Sequence, residues 1–427
     1  MDDQRVFGMP AEIGRWGFVL LGVSMNLCLG AVYAWSVFKG PVEKVLGCSA
    51  TQGGLPFMVF LACFSLTMSL GGGLMERIGP RWLALAGGLV VGAGWLLSSL
   101  ATNIWALVVT YGVVAGSGVG LAYGCPVALG ARWFPDRKGL AVGLMLAGFG
   151  GSALVTAPIA GMLIGDAKAL DVGPLAAALA RTFLWFGLAF TAILLALALP
   201  LRFPPPGWRP RGWAPAAGSV ARASFDRSGM LRTATFRGLF ACYCIGCLAG
   251  LMAIGISKNV ANDVVHISSQ TGTALVGLFA LCNAVGRPLF GWLTDRLSPR
   301  VAAVINLALL LGASLAMLGA GPGTTTLYVA AFACFWLCLG GWLAIAPTAT
   351  ATFFGMEHYP KNYGTMFLAY GLGAILGSFV SGHAKDYFGS YTHAFVPTAA
   401  LAALGIVLAL LFVRPPAGLT IEPEAGR

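Results

Sequence analysis

Twelve apolar runs divide the chain, at residues 16–38, 53–74, 82–100, 104–126, 139–163, 182–200, 238–258, 269–293, 301–320, 327–352, 363–383 and 392–413. Each is close to the ~20 residues that an α-helix needs to cross the hydrocarbon core of a bilayer. In lipid every backbone N–H and C=O must be satisfied within the segment, so runs of this kind fold as helices. Composition agrees. Of the 427 residues 58% are hydrophobic and 10% charged, where a soluble domain carries about a quarter charged residues. The first run, Trp16 to Phe38, is too long for the core of a cleavable signal peptide. The expected fold class is an all-α membrane protein of twelve transmembrane helices.

An even number of spans puts both termini on one side. The loops of that side hold 19 of the 26 Lys and Arg, among them Arg77, Arg81, Arg132, Arg137, Lys138, Arg296 and Arg300, against six on the other. The excess of basic residues in these loops predicts cytoplasmic termini and a multi-pass protein of the inner cell membrane. The net charge of +11 sits between apolar runs, so it reads as topological anchoring in lipid, with no nucleic-acid partner. The longest connection on that side, residues 201–238, carries seven Arg against one Asp and is rich in Pro and Gly. It reads as a basic linker (201–237) on the membrane surface, separating one half (1–200) from another (238–427).

The halves repeat each other. "GGLMERIGPR" at Gly72 to Arg81 and "GWLTDRLSPR" at Gly291 to Arg300 share Gly-x-Leu-x-acid-Arg-x-x-Pro-Arg, each after the second span of its half. "FPDRKG" at Phe134 is echoed by "YPKNYG" at Tyr359, between spans four and five of each half. Parallel six-span repeats mark a transporter architecture with its substrate site between pseudo-symmetric halves near the midplane.

The loop at Gly72 to Arg81, degenerate at Gly291 to Arg300, resembles the signature loop of the major facilitator superfamily. Within it, "GAVYAWSVF" at Gly30, "ARWFPDRKGLAVG" at Ala131, "NAVGRPLFGWLTDR" at Asn283 and "YGTMFLAYGLGAILG" at Tyr363 are similar to the oxalate/formate antiporter family, itself related to the monocarboxylate transporters. The resemblance covers nearly the whole chain and implies alternating-access transport of small carboxylates.

One residue breaks the apolar pattern. Arg287 stands inside span eight, two turns from Asp295 and thus about 12 Å from the boundary. A central Arg in lipid costs roughly 3 kcal/mol or more. All 15 Asp and Glu fall outside the predicted spans, so no protein acid is expected to pair with it. Guanidinium presents a planar fork matched to one carboxylate. Asn283, at i, i+4, shares its face and can add a neutral donor. These two residues are the candidate substrate site.

The resemblance implies further roles. The family's dicarboxylate exchanger carries a Lys in span eleven where this chain has Tyr370, and one cation in place of two favours a monoanion over oxalate. The same alignment puts Tyr123, Phe149, Leu339, Leu343 and Phe367 on the pocket wall. Leucines replace aromatics common in span ten of the family, which implies an aliphatic lining. Proton-coupled relatives carry an Asp one turn before the Arg, where Asn283 stands. Asp263, just beyond span seven, is the candidate for proton coupling. The expected partners are a small carboxylate anion, a proton and lipid, and the expected state is a monomer.

No cofactor or metal is expected. "GSGVG" at Gly116 and "GLGAILG" at Gly371 lack the strand–turn–helix setting of dinucleotide sites and read as close helix packing. "CYCIGC" at Cys242 lies in an apolar span and reads as ordinary buried residues. His383 and Asp386 read as solvated groups near the outer end of span eleven. An enzyme would need a nucleophile and base inside the bundle, which the spans do not supply. The reading is a secondary carrier of lactate- or pyruvate-like monocarboxylates, by proton symport or anion exchange. An oxalate/formate-type antiporter and a carboxylate receptor on a transporter fold are the alternatives.

Overall fold

The computed structural model describes residues 5–416 except 168, 206, 212–223 and 356. The middle of the basic linker therefore lies outside the described residues. The described residues form twelve helical spans. Spans one to six are Ala11–Leu46, Ala50–Gly71, Arg77–Ser98, Ile104–Trp133, Leu140–Ile164 and Val172–Ala198. Spans seven to twelve are Ala234–Asp263, Ser269–Arg296, Pro299–Leu318, Thr325–Phe354, Lys361–Phe388 and Tyr391–Phe412. A short hairpin of Arg5–Val6 with Met9–Pro10 precedes them.

Burial separates central from peripheral spans. Span seven has 89% of its most apolar window buried, against 33% for span twelve, so span seven runs through the middle and span twelve along the rim. Large apolar side chains such as Leu20, Trp82, Met162 and Leu404 are exposed, as lipid-facing residues are. Among the described residues the two halves meet chiefly along the helix pairs one with seven, two with eleven and five with eight. Small residues allow the approach. On the two–eleven pair, Gly364 lies against Ser69, Gly371 against Ser65 and Gly382 against Thr51.

The repeated loop motif folds alike in both halves. Gly79, near the start of span three, turns the chain at φ 82°, a region open to glycine without strain. Its counterpart Ser298 takes φ 152° and accepts a hydrogen bond from Val301 N at 3.3 Å, capping span nine.

The helices outrun the hydropathy boundaries. Span one continues to Leu46 and span six begins at Val172, ten residues before its apolar core. Glu43, Asp263, Asp295 and Asp386 accordingly fall within the end turns of helices rather than in loops. Hydropathy marks the hydrocarbon thickness, whereas a helix continues while its backbone bonds and caps are satisfied. Asp386 is a case in point. Its carboxylate accepts from Ala50 N (2.9 Å) and Thr51 N (3.0 Å), so this exposed side chain also caps span two from the other half.

Candidate functional site

Span eight positions the central pair. Ser268 caps its N-terminus by accepting from Thr271 N, and the helix runs unbroken through Asn283 and Arg287. Both side chains are buried, Asn283 completely and Arg287 to 4% exposure. Asn283 Nδ2 donates to Trp336 O of span ten at 2.9 Å. Gly286 and Gly340 let spans eight and ten touch backbone to backbone at this level. On the opposite side stands Gly150 of span five. A Cβ there would be 2.5 Å from Asn283 Oδ1 and 3.1 Å from Arg287 Nε. The pair thus sits on the seam between the halves.

Its polar capacity is largely unused. Among the described residues, Asn283 Oδ1 and all three guanidinium nitrogens of Arg287 have no hydrogen-bond partner. The guanidinium acts electrostatically on three phenols, Tyr33, Tyr123 and Tyr363, and lies close enough to Tyr123 to interact with its hydroxyl directly. A permanent cation that is buried and unpaired is costly. It is also well prepared for a carboxylate, since its donors are aimed and desolvated before an anion arrives.

An aromatic wall surrounds it. Phe64 of span two lies 5.1–5.8 Å, ring centre to ring centre, from Tyr123, Phe149, Phe367 and Tyr370. Tyr123 packs edge-on to Phe149 at 5.2 Å, and Phe367 stacks on Tyr370 at 4.9 Å. Tyr33 of span one completes the ring against Phe149 at 5.1 Å, and its hydroxyl is 2.9 Å from that of Tyr370. That contact links spans one and eleven across the seam.

Four residues expected on the wall (Tyr123, Phe149, Phe367 and Tyr370) are therefore gathered into one cluster. Leu339 and Leu343 are buried in span ten, and Leu339 stands against Gly250 of span seven, within its own half. Asp263 lies apart. It ends span seven on the side opposite the termini, ion-paired to Lys385 Nζ at 3.2 Å. Arg287 is 18 residues along span eight from Ser269, about 27 Å of helix, so the two charges do not meet.

Tyr33, Phe64, Tyr363 and Gly150 join the site without having been singled out from the sequence. Tyr33 and Tyr363 lie in segments that carry the family resemblance, "GAVYAWSVF" and "YGTMFLAYGLGAILG". For Phe64 and Gly150 there is no comparable signal, since Phe and Gly are common in apolar spans.

Comparison with known proteins bears on the class. Residues 16–335 and 238–426 match the Major Facilitator Superfamily. The oxalate:formate antiporter of Oxalobacter formigenes is 27% identical over 414 residues, covering 96% of this chain and 93% of that protein. Monocarboxylate transporter 13 of Rattus norvegicus is 28% identical over 408 residues, covering 93% and 89%. The crystal structure of a bacterial homolog to the human lysosomal transporter Spinster, inward-facing and occupied, superimposes with a TM-score of 0.69 at 16% identity, covering 96% of this chain and 98% of that one. With twelve spans in two halves and a family match along nearly its full length, the chain belongs to the Major Facilitator Superfamily of membrane transporters.

Proposed function

We propose that the chain is a secondary active carrier of small monocarboxylates of the lactate and pyruvate type, working by alternating access. The observation that carries the reading is the unpaired, buried Arg287 beside Asn283 on the seam between the halves. In this reading the guanidinium receives the carboxylate through two parallel N–H···O bonds, Asn283 offers its free Oδ1 to a substrate hydroxyl, and Tyr33, Tyr123 and Tyr370 offer neutral phenols. Phe149 and Phe367 exclude water, and Leu339 and Leu343 are offered as further apolar wall. The relatives named for oxalate and formate and for monocarboxylates support a carboxylate as cargo. Tyr370 can hydrogen-bond a second carboxylate but cannot neutralise it, which favours monoanions over the oxalate dianion.

The proposed orientation has both termini in the cytoplasm, following the basic loops, with the halves at 1–200 and 238–427 rocking about the seam. Coupling to protons is assigned to Asp263. The test is uptake of labelled L-lactate, formate and oxalate into proteoliposomes, with and without an imposed pH gradient. Lactate and pyruvate compete better than oxalate at neutral pH on this reading, and Arg287→Ala abolishes flux. Stronger inhibition by oxalate turns the assignment to a dicarboxylate antiporter. Binding without any counterflow turns it to a receptor.

A further inference from the structure

Another buried cation, Lys258, lines a cavity on the side opposite the termini. On the side opposite the termini, a cavity of about 420 Å3 opens between the halves, lined by Ser36, Gly40 and Lys44 of span one and by Lys258, Asn259 and Asn262 of span seven, among others. Lys258 is 6% exposed. Its stem packs on Gly272 of span eight, where a Cβ would stand 3.6 Å from Lys258 Cγ.

The other charges on this wall are engaged. Glu43 pairs with Lys39 at 3.7 Å and Asp263 with Lys385 at 3.2 Å. Lys44 Nζ donates to the carbonyls of Ala167 and Leu170, both at 2.8 Å. Lys258 has neither a hydrogen bond nor an ion pair to a described residue; Asp166, which lines the same cavity and has an interaction of its own, acts on it electrostatically. Beside it, Asn259 and Asn262 each hold a buried Oδ1 without a partner. An ammonium flanked by two open amide acceptors matches a carboxylate with a neighbouring hydroxyl.

Depth separates this group from the central site. Lys258 is five residues from the end of span seven at Asp263, about 7 Å of helix, whereas Arg287 lies about 27 Å in from the same side. Glu43, Asp166 and Asp263 also line this cavity, so the pull on an anion is local to Lys258 and the two asparagines beside it. Ammonium suits a transient stop, because it is a compact, strongly hydrated charge without the fork that holds a carboxylate in two places.

We propose that Lys258, with Asn259 and Asn262, forms a loading site for a 2-hydroxy monocarboxylate, occupied on the side opposite the termini before the anion reaches Arg287. The choice of ligand rests on the carrier reading above. The test uses L-lactate and purified protein in proteoliposomes. Lys258→Gln raises the KM for lactate presented on that face about tenfold and flattens its dependence on ionic strength. The KM from the other face and the maximal exchange rate stay within about twofold, and Lys258→Arg restores wild-type behaviour. A second readout does not need the central site. In Arg287→Ala, L-lactate slows acetylation of Lys258 by a membrane-impermeant N-hydroxysuccinimide ester, followed by mass spectrometry. An unchanged KM in Lys258→Gln, or no protection in Arg287→Ala, overturns the loading site. Lactate exchange that survives Arg287→Ala overturns the central carrier site instead, and the protection assay still decides the outer one.

Discussion

Arginine holds its proton under all physiological conditions, so Arg287 cannot escape its burial by becoming neutral, as a lysine could. Only an anion answers it. Arg287→Lys keeps the charge and loses the fork, and one charge-assisted hydrogen bond is worth about 1.5–3 kcal/mol. Lactate binding by isothermal calorimetry is expected to weaken roughly ten- to a hundredfold; unchanged affinity would mean that the carboxylate is held elsewhere. Tyr370 tests the charge count from the other side of the cluster. Tyr370→Lys supplies a second cation beside Phe367 and Tyr33, and the ratio of oxalate to lactate affinity is expected to rise at least tenfold. A constant ratio would remove Tyr370 from the pocket. Arg287 and Asn283 were legible in the sequence because polar groups stand out in an apolar run. Tyr33 and Phe64 were not, because aromatic residues in such runs are ordinary, and only the folded seam brings them to the same point.

Elements succeed or fail here by how closely they approach. Span five can reach span eight at the guanidinium only because Gly150 has no side chain. Gly150→Val is expected to push the spans apart and cost lactate binding tenfold or more. Gly143→Val, where a Cβ would meet nothing within 4 Å, is expected to leave binding unchanged. Equal effects at both positions would point to general helix destabilisation. Span one is fastened to the loop before span five by Arg15, which donates to both oxygens of Asp136 at 2.6 and 2.9 Å and to Trp133 O. The guanidinium holds the Asp136 carboxyl below the usual carboxylate range. A lowered folded pKa means that this stabilisation is complete above the unfolded value of about 4 and fades as pH falls through the lower folded value. Asp136→Asn is therefore expected to melt below wild type by a constant margin from pH 8 to 5, with the margin closing only below about pH 4. A margin that already closes at pH 6 would assign the effect to another group. The sequence announced the spans because bilayer thickness dictates their length. Their ends stayed hidden, since caps such as Asp386 on span two join elements far apart in the chain.

At the scale of the whole molecule, spans two and eleven touch on both sides of Arg287. On the termini side Gly364 of span eleven meets Ser69 of span two, and on the other Gly382 meets Thr51 and Asp386 caps the same helix. Alternating access must open one of these contacts while the other holds, so every cycle passes the central site through a closed, poorly hydrated stage. With a monoanion bound, the guanidinium and carboxylate enter that stage as a neutral pair. Without one, Arg287 enters it with no acid near, because Asp263 is held by Lys385 at the end of span seven. An uncompensated charge in such a place is costly, and the cost falls on the empty carrier alone. Lactate–lactate exchange in proteoliposomes is therefore expected to outrun net uptake by tenfold or more at equal concentrations. Net uptake then needs a proton carried by a route that does not bring an acid to Arg287, and Asp263, at the outer end of span seven, is the residue assigned to it. Asp263→Asn is expected to slow pH-driven net uptake and to spare exchange. If both modes keep wild-type rates, Asp263 serves only its ion pair with Lys385. If net uptake matches exchange in the wild type, the unpaired charge does not govern reorientation, and the barrier lies in the helix contacts of the seam.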